Sequence, residues 1–245
     1  MPLLRCVACG HSYLSTVGVD LSHLYDTHYT GFREDPTFQR RVREVLEDAV
    51  SPHIPAKARV LDVGCGNGEF LAAAAELGHT VFGLDFSEAA AEACLKRGVL
   101  AVAGDFLKYD FGDRAPFDLI TLWDVVEHLD HPFEVMVRAR ELLAPGGCLL
   151  LKVPCFTERG VWIAAHVPRV AGALLGAPSH IQYFNPRGLR RLLSRAGFAS
   201  VHTEKLAAMR SLSPPKNPIG AAKRKFIAEL GKFAGNENTL VLARA

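Results

Sequence analysis

Between residues 60 and 70 the chain reads VLDVGCGNGEF, with Gly64, Gly66 and Gly68 at alternate positions between Asp62 and Glu69. Glycine has no Cβ, so this stretch can turn tightly and let backbone amides approach a ligand closely. Asp85 follows Asp62 by 23 residues, the distance at which an acidic side chain ending the next strand meets a ribose diol. Together the two signals point to a nucleotide-type ligand, and two classes compete for it. A dinucleotide site uses GxGxxG and seats a pyrophosphate on the helix N-terminus. Here the spacing is GxGxG, and Glu69 stands at the third position, where its carboxylate would repel a pyrophosphate. A nucleoside carrying an amino acid fits better, because its ammonium group is attracted by Asp62 and by loop carbonyls.

Other residues offer acid–base or ligand chemistry. His128, in VEHL, and His180, opening HIQYF, are candidate general bases. Glu127 offers a carboxylate to a divalent metal, but no partner ligands are legible around it, so no metal is expected there. Cys6 and Cys9 form a CxxC pair without a second pair. Two thiolates fill half of a tetrahedral shell, and although His11, His23 and His28 lie nearby, the pair is expected to be metal-free. Cys65, Cys94, Cys148 and Cys155 fall in apolar or glycine-rich stretches, where reduced cysteine acts as a small hydrophobe.

These residues need a scaffold. DPTFQRRVREVLEDAV has apolar residues at helical spacing behind Asp35-Pro36 and predicts an opening helix. From there strands and helices alternate: ARVLDVG, EFLAAAAELG, TVFGLDF, SEAAAEACLKRG and VLAVAGD, then FDLITLWD, HPFEVMVRARELL and GCLLLKVP. Short, continuously apolar strands separated by helices of about ten residues mean a mostly parallel sheet covered on both faces, a doubly wound, Rossmann-like α/β fold. The glycines then fall at the carboxyl end of the first strand, where such sheets bind ligands. The expected division is an N-terminal segment over 1–34 and one domain over 35–245, with insertions at about 154–179 and 211–235. Insertions on such scaffolds tend to carry substrate contacts.

The ordered set VLDVGCGNG, GLDFS, GDF, FDLITLWDVVEHL and LLAPGG resembles the successive motifs of class I S-adenosylmethionine-dependent methyltransferases. The resemblance runs from about residue 58 to AGF at 196–198 and implies a seven-stranded sheet. HIQYFNPRGLRRLLSRAGF, the cysteine pair and LYDTHYTG resemble the subgroup acting on small molecules and natural-product intermediates. Members with that ribbon carry two CxxC pairs, whereas this chain shows one. The resemblance implies S-adenosyl-L-methionine as cofactor, with Gly64, Gly66 and Gly68 along its methionine part and Asp62 bracing the loop. It further implies Asp85 on the ribose hydroxyls, Phe86 on the adenine face, Asp105 on the exocyclic amine and a backbone contact from Phe106. Trp123 and Asp124 would face the sulfonium and the acceptor.

Composition narrows the partners. Of the 245 residues 49% are hydrophobic and 22% charged, ordinary for a globular protein. The longest apolar stretch is interrupted by His166, Pro168 and Arg169, too early for a spanning helix, and the N-terminus lacks a secretory signal pattern. A cytoplasmic protein is expected. Residues 1–151 hold 13 Lys and Arg against 22 Asp and Glu, whereas 152–245 hold 15 against 4. The basic half suits an acidic or amphiphilic small acceptor, or weak contact with an anionic membrane surface. A methyltransferase acting on RNA or protein is the alternative, but no aromatic-rich RNA surface is evident, so no specific nucleic acid is expected. A nicotinamide oxidoreductase is opposed by the glycine spacing, and a non-catalytic cofactor-binding scaffold stays open.

Overall fold

A computed structural model describes residues 2–15, 40, 42–167, 174–177, 179–205 and 237–245. LYDTHYTG, His23, His28, the first turns of the expected opening helix and the second insertion at 211–235 lie outside the described residues.

The main sheet has seven strands: β3 (Arg59–Val63), β4 (Thr80–Asp85), β5 (Ala101–Ala103), β6 (Phe117–Trp123), β7 (Leu143–Cys155), β9 (Ser200–Lys205) and β10 (Glu237–Arg244). Their spatial order is β5-β4-β3-β6-β7-β10-β9. The first five pair in parallel, and β10 runs antiparallel between β7 and β9. Parallel strands covered on both faces must be apolar throughout, and β3 and β6 bury nearly every residue. The helices α1 (Glu69–Glu76), α2 (Glu88–Lys96), α3 (Pro132–Leu142) and α5 (Pro186–Arg195) follow the expected segments, whereas α4 (Glu158–His166) lies in the first insertion, where no helix was expected. One core cluster joins α1, α2 and the helical residues Val42, Val45 and Leu46 to one sheet face. A second joins α3 and α5 to the other. Among the described residues no helix is long and apolar enough to cross a membrane.

Side-chain caps set several helix starts. Ser87 Oγ accepts from the Ala90 amide, Thr157 Oγ1 from Gly160 and Asn185 Oδ1 from Gly188. Each satisfies one of the amides a helix N-terminus leaves unpaired.

The chain leaves β3 outward through β4 and β5, then returns to place β6 on the other side of β3. That reversal opens a crevice at the carboxyl ends of β3 and β6. The loop after β3 carries the glycines, and the turn after β6 carries Glu127 and His128.

Two features depart from the sequence reading. The strand expected over VLAVAGD is confined to Ala101–Ala103. A small second sheet is present, made of β1 (Leu3–Arg5), β2 (Ser12–Leu14) and β8 (Gln182–Tyr183). It ties the N-terminal ribbon to the segment following His180, with Ser12 opposite Tyr183. A two-residue strand has no periodicity to read, so sequence alone could not find it.

Candidate active site

Gly64, Gly66 and Gly68 all have positive φ, of 73°, 53° and 77°. Space is also lacking: a Cβ on Gly64 would lie 2.5 Å from Val125 Cγ2, and one on Gly68 would lie 2.9 Å from Cys94 Sγ. The loop is fastened to the end of β4. The Gly64 amide donates to the Leu84 carbonyl at 2.7 Å, and the Gly66 amide to Asp85 Oδ2 at 2.9 Å. Asp85 Oδ1 accepts from the Ser87 amide at 3.0 Å. A carboxylate has about four lone-pair sites, so these two backbone donors orient Asp85 and leave it acceptor capacity. Burial pushes its carboxyl above the usual carboxylate range.

Asp62 does something the sequence reading missed. Its Oδ1 accepts from Thr121 Oγ1 at 2.6 Å, so it joins β3 to β6 across the switch point as well as standing behind the loop. Burial, with Asp85 adding a smaller contribution, pushes its carboxyl up to about 8. The folded chain therefore keeps this proton through a range in which the unfolded chain, titrating near 3.9, has lost it. Between those values the native state binds more protons, and stability must fall as pH rises. Asp62→Asn removes that contribution. Urea unfolding of the ligand-free protein should show a smaller loss of stability from about pH 5 to about pH 8 in the variant than in the parent. Equal losses would mean that Asp62 is ionised in the folded chain.

The other candidate cofactor residues lie around the same crevice. Phe86 is 72% exposed just beyond β4. Phe106 is buried in an aromatic group with Phe111, at 6.0 Å between ring centroids, so only its backbone is available to a ligand. Asp105 caps its own turn through the Leu107 amide and pairs with Lys108. Trp123 is half-buried and packs on the Phe70 ring at 5.3 Å.

The end of β6 concentrates charge. Asp124 has φ 54°, the only positive φ at a non-glycine position among the described residues. Such a conformation costs energy that the surroundings must offset. Lys152 holds it twice: the Asp124 amide donates to the Lys152 carbonyl at 2.9 Å, and Lys152 Nζ donates to the Asp124 carboxylate. The Lys152 side chain is only 4% exposed, and a buried ammonium requires such a partner. The sequence reading passed over Lys152, although a lysine inside the apolar run CLLLKVP is the signal that marks it.

Glu127 is 0% exposed, and neither of its carboxyl oxygens has a hydrogen-bond partner. Burial and the nearby Asp124 push its carboxyl well above the usual range. His128 Nδ1 lies 2.7 Å from the Ser179 carbonyl. A carbonyl only accepts, so Nδ1 carries a proton. The His180 ring stands edge-on to His128 with centroids 4.8 Å apart. Burial first, and His128 second, lower the His180 pKa to about 4, which keeps the ring neutral at pH 7. The Ile181 amide donates to the Glu127 carbonyl at 2.9 Å, fixing this segment beside the β6 turn. Glu127, His128 and His180 thus present ligand atoms all within 4.8 Å of one another. The partner ligands that Glu127 lacks in the sequence are supplied by the fold, because His180 is 53 residues away along the chain.

Cys6 and Cys9 lie apart from this cluster, in a turn closed by the Cys6 amide on the His11 carbonyl at 2.7 Å. Amides of Cys9 and Ala8 directed at the Cys6 sulfur lower its pKa. His11 is committed elsewhere: Nε2 meets Gln182 Oε1 at 2.8 Å, and its ring packs on Phe184 at 4.5 Å. An open pocket of about 860 Å³ lies beside this ribbon, lined by Cys6, Cys9, Phe156, Asn185, Arg187 and other residues, and none of the glycine loop is among them.

With this geometry in place, residues 32–203 match a family described as a methyltransferase domain. The chain belongs to that methyltransferase family. It transfers a methyl group from S-adenosyl-L-methionine to a small-molecule acceptor. The methyltransferase is 30% identical over 164 residues to a ubiquinone biosynthesis O-methyltransferase of Thiobacillus denitrificans, covering 63% of this chain and 68% of that protein. It is 36% identical over 101 residues to the enzyme of the same description from a Caulobacter species, covering 38% of this chain and only 39% of the relative. In fold it is similar to a SAM-dependent methyltransferase from Archaeoglobus fulgidus, with TM-score 0.58 and 21% identity, covering 92% of this chain and 100% of the other.

Proposed function

We propose that this methyltransferase methylates a hydroxyl group on a small acceptor with an apolar body, most simply a phenol. The observation that carries the proposal is the Glu127, His128 and His180 cluster beside Trp123 and Asp124 at the carboxyl end of β6. O-methylation requires the acceptor oxygen to lose its proton, and two neighbouring imidazoles suit a phenol, whose pKa of about 10 is far below that of an aliphatic alcohol. The relatives described as O-methyltransferases support the oxygen as the methylated atom.

In this reading the backbone of Gly64, Gly66 and Gly68 follows the methionine part of the cofactor. Asp85 accepts from the ribose hydroxyls, and the exposed face of Phe86 packs on adenine. Asp105 and the Phe106 backbone meet the base, and Trp123 lies beside the sulfonium. The acceptor proton leaves on the side of His128 and His180. The oxygen lone pair then forms the new O–C bond as the C–S bond breaks, and that electron pair stays on sulfur, turning a cationic sulfonium into a neutral thioether. Charge is dispersed rather than created, so alignment supplies most of the acceleration, up to about 7–11 kcal/mol.

The apolar body of the acceptor is argued from the first insertion. There Trp162 is 60% exposed on α4, Val167 is exposed just after it, and Leu174 and Leu175 pack on Phe156 and Tyr183. With the excess of cations over residues 152–245, the same surface suits an amphiphilic acceptor and brief contact with an anionic membrane. Mass spectrometry of reactions with a panel of phenols, amines and carboxylic acids, each with and without an alkyl tail, tests the proposal. Methylation of phenols, with KM lowered by the tail, is expected. Methylation confined to amines would overturn it.

A further inference from the structure

We propose that Cys6 and Cys9 form a reversible dithiol site, oxidised to a disulfide by exchange with a small anionic disulfide seated in the adjoining pocket. The site lies apart from the crevice, and the methyltransferase reading gives it no role.

The placement of the two thiols carries the proposal. β1 ends at Arg5, and the Gly10 amide donates to the Cys6 carbonyl at 2.9 Å, closing a single turn over CVAC. Residues three apart on such a turn share a face, and the Cys9 thiol donates to the Cys6 sulfur. Joining the sulfurs therefore asks only for adjustment within the turn. Both cysteines are partly exposed and Val7 between them is fully exposed, so the turn stands in solvent. Among the described residues no third cysteine, histidine or carboxylate joins them at metal-ligand spacing. Two thiolates fill half of a zinc shell, whereas two adjacent, accessible thiols are what disulfide exchange requires. The other four cysteines are all buried, and buried cysteines are inert. Cys65 Sγ and Cys94 Sγ do lie 3.7 Å apart, but their hydrogen bond and burial raise the Cys65 pKa and keep that thiol protonated.

The surroundings select the attacking sulfur and the oxidant. Two backbone amides are directed at the Cys6 sulfur and Arg191 adds positive potential there, which favours the thiolate, the form that attacks a disulfide. The pocket of about 860 Å³ has both cysteines on its wall together with Arg5, Arg187 and Arg190. Its size is that of a small-molecule site. Among the described lining residues Glu158 carries the only carboxylate, and Arg5 pairs with it. Arg187 and Arg190 leave the wall net positive, so it attracts an anionic disulfide. In the first step the Cys6 thiolate attacks one sulfur of that molecule: the bond to Cys6 forms, the ligand's S–S bond breaks, and one thiolate leaves. Cys9 then gives its proton to solvent and attacks the Cys6 sulfur, and the second thiolate leaves as the mixed disulfide breaks. The protein loses two electrons and two protons, and the oxidant becomes two thiols.

The test uses the full chain, reduced and assayed for zinc, then incubated with glutathione disulfide, an anionic disulfide. Mass spectrometry after alkylation should show two hydrogens lost from the peptide carrying Cys6 and Cys9, the four buried cysteines unchanged, and full reversal by dithiothreitol. Cys9→Ser should stop at a stable mixed disulfide on Cys6. Replacing Arg187 and Arg190 by Gln should slow exchange with glutathione disulfide about tenfold, the low end of electrostatic steering, and should not slow exchange with cystamine, a cationic disulfide. Added salt should distinguish the two reagents in the same way in the parent, which keeps the charge argument testable if the arginine variant fails to fold. Failure to form the Cys6–Cys9 bond, oxidation confined to the buried cysteines, or stoichiometric zinc that blocks exchange overturns the site. Equal trapping in Cys6→Ser overturns the choice of attacking sulfur, and rates independent of charge overturn the pocket as the docking place. Neither cofactor binding nor methyl transfer is read, so failure here does not count against the proposed function.

Discussion

Asp85→Ala is expected to weaken S-adenosyl-L-methionine binding by about 1.5–3 kcal/mol, roughly 10- to 150-fold in Kd. Two losses add. The variant gives up the charge-assisted acceptor assigned to the ribose hydroxyls. It also frees the Gly66 and Ser87 amides that the carboxylate holds at 2.9 and 3.0 Å, so the glycine loop and the start of α2 lose a common anchor. Asp85→Asn separates these contributions. It keeps an oxygen for one of the amides, so the loop is better preserved while the charge is gone. Calorimetry on the three proteins should rank affinity parent, Asn, Ala. Unchanged affinity in Asp85→Ala, or tight NADH binding by the parent, would sink the assignment of this aspartate and of the loop it fastens.

His180→Ala is expected to lower turnover about a hundredfold or more while changing cofactor affinity little, the size and pattern expected when a group that handles the acceptor proton is removed. His180 lies past β7, whereas the glycine loop and Asp85 lie at the ends of β3 and β4. Its loss removes one of two neighbouring imidazoles and leaves Glu127 beside a cavity. His128→Ala should act in the same direction, and the double variant should cost far less than the sum of the two, because groups acting as a unit are not additive. Initial rates at saturating cofactor, with cofactor Kd measured separately, decide it. Near-normal turnover in both single variants on a phenol acceptor would show that neither imidazole takes part in the proton's departure.

The parallel half of the sheet was legible in the chain because each strand is buried on both faces and so reads as an unbroken apolar run, as in VLDV and LITL. The glycine loop was legible for a local reason. Positive φ and missing Cβ space are requirements of single positions, and Gly64, Gly66 and Gly68 record them directly. Asp85 was legible by its fixed distance from that loop, since one crossover sets where the next strand must end. The two histidines could be named from the sequence as candidates, but their proximity could not, because nothing local in VEHL or HIQYF specifies the other.

What the chain determined by itself is the doubly wound scaffold and the glycine-rich end of the crevice, both written in short-range patterns of apolar and glycine residues. Only the tertiary structure decided the chemistry at the opposite end. There β6 delivers Glu127 and His128, the segment behind α4 delivers His180, and β7 delivers the lysine that holds Asp124. Side chains separated by tens of residues acquire a shared environment only when the sheet sets them side by side. Burial of Glu127, the contact of His128 Nδ1 with the Ser179 carbonyl and the neutrality of His180 are all consequences of that shared environment.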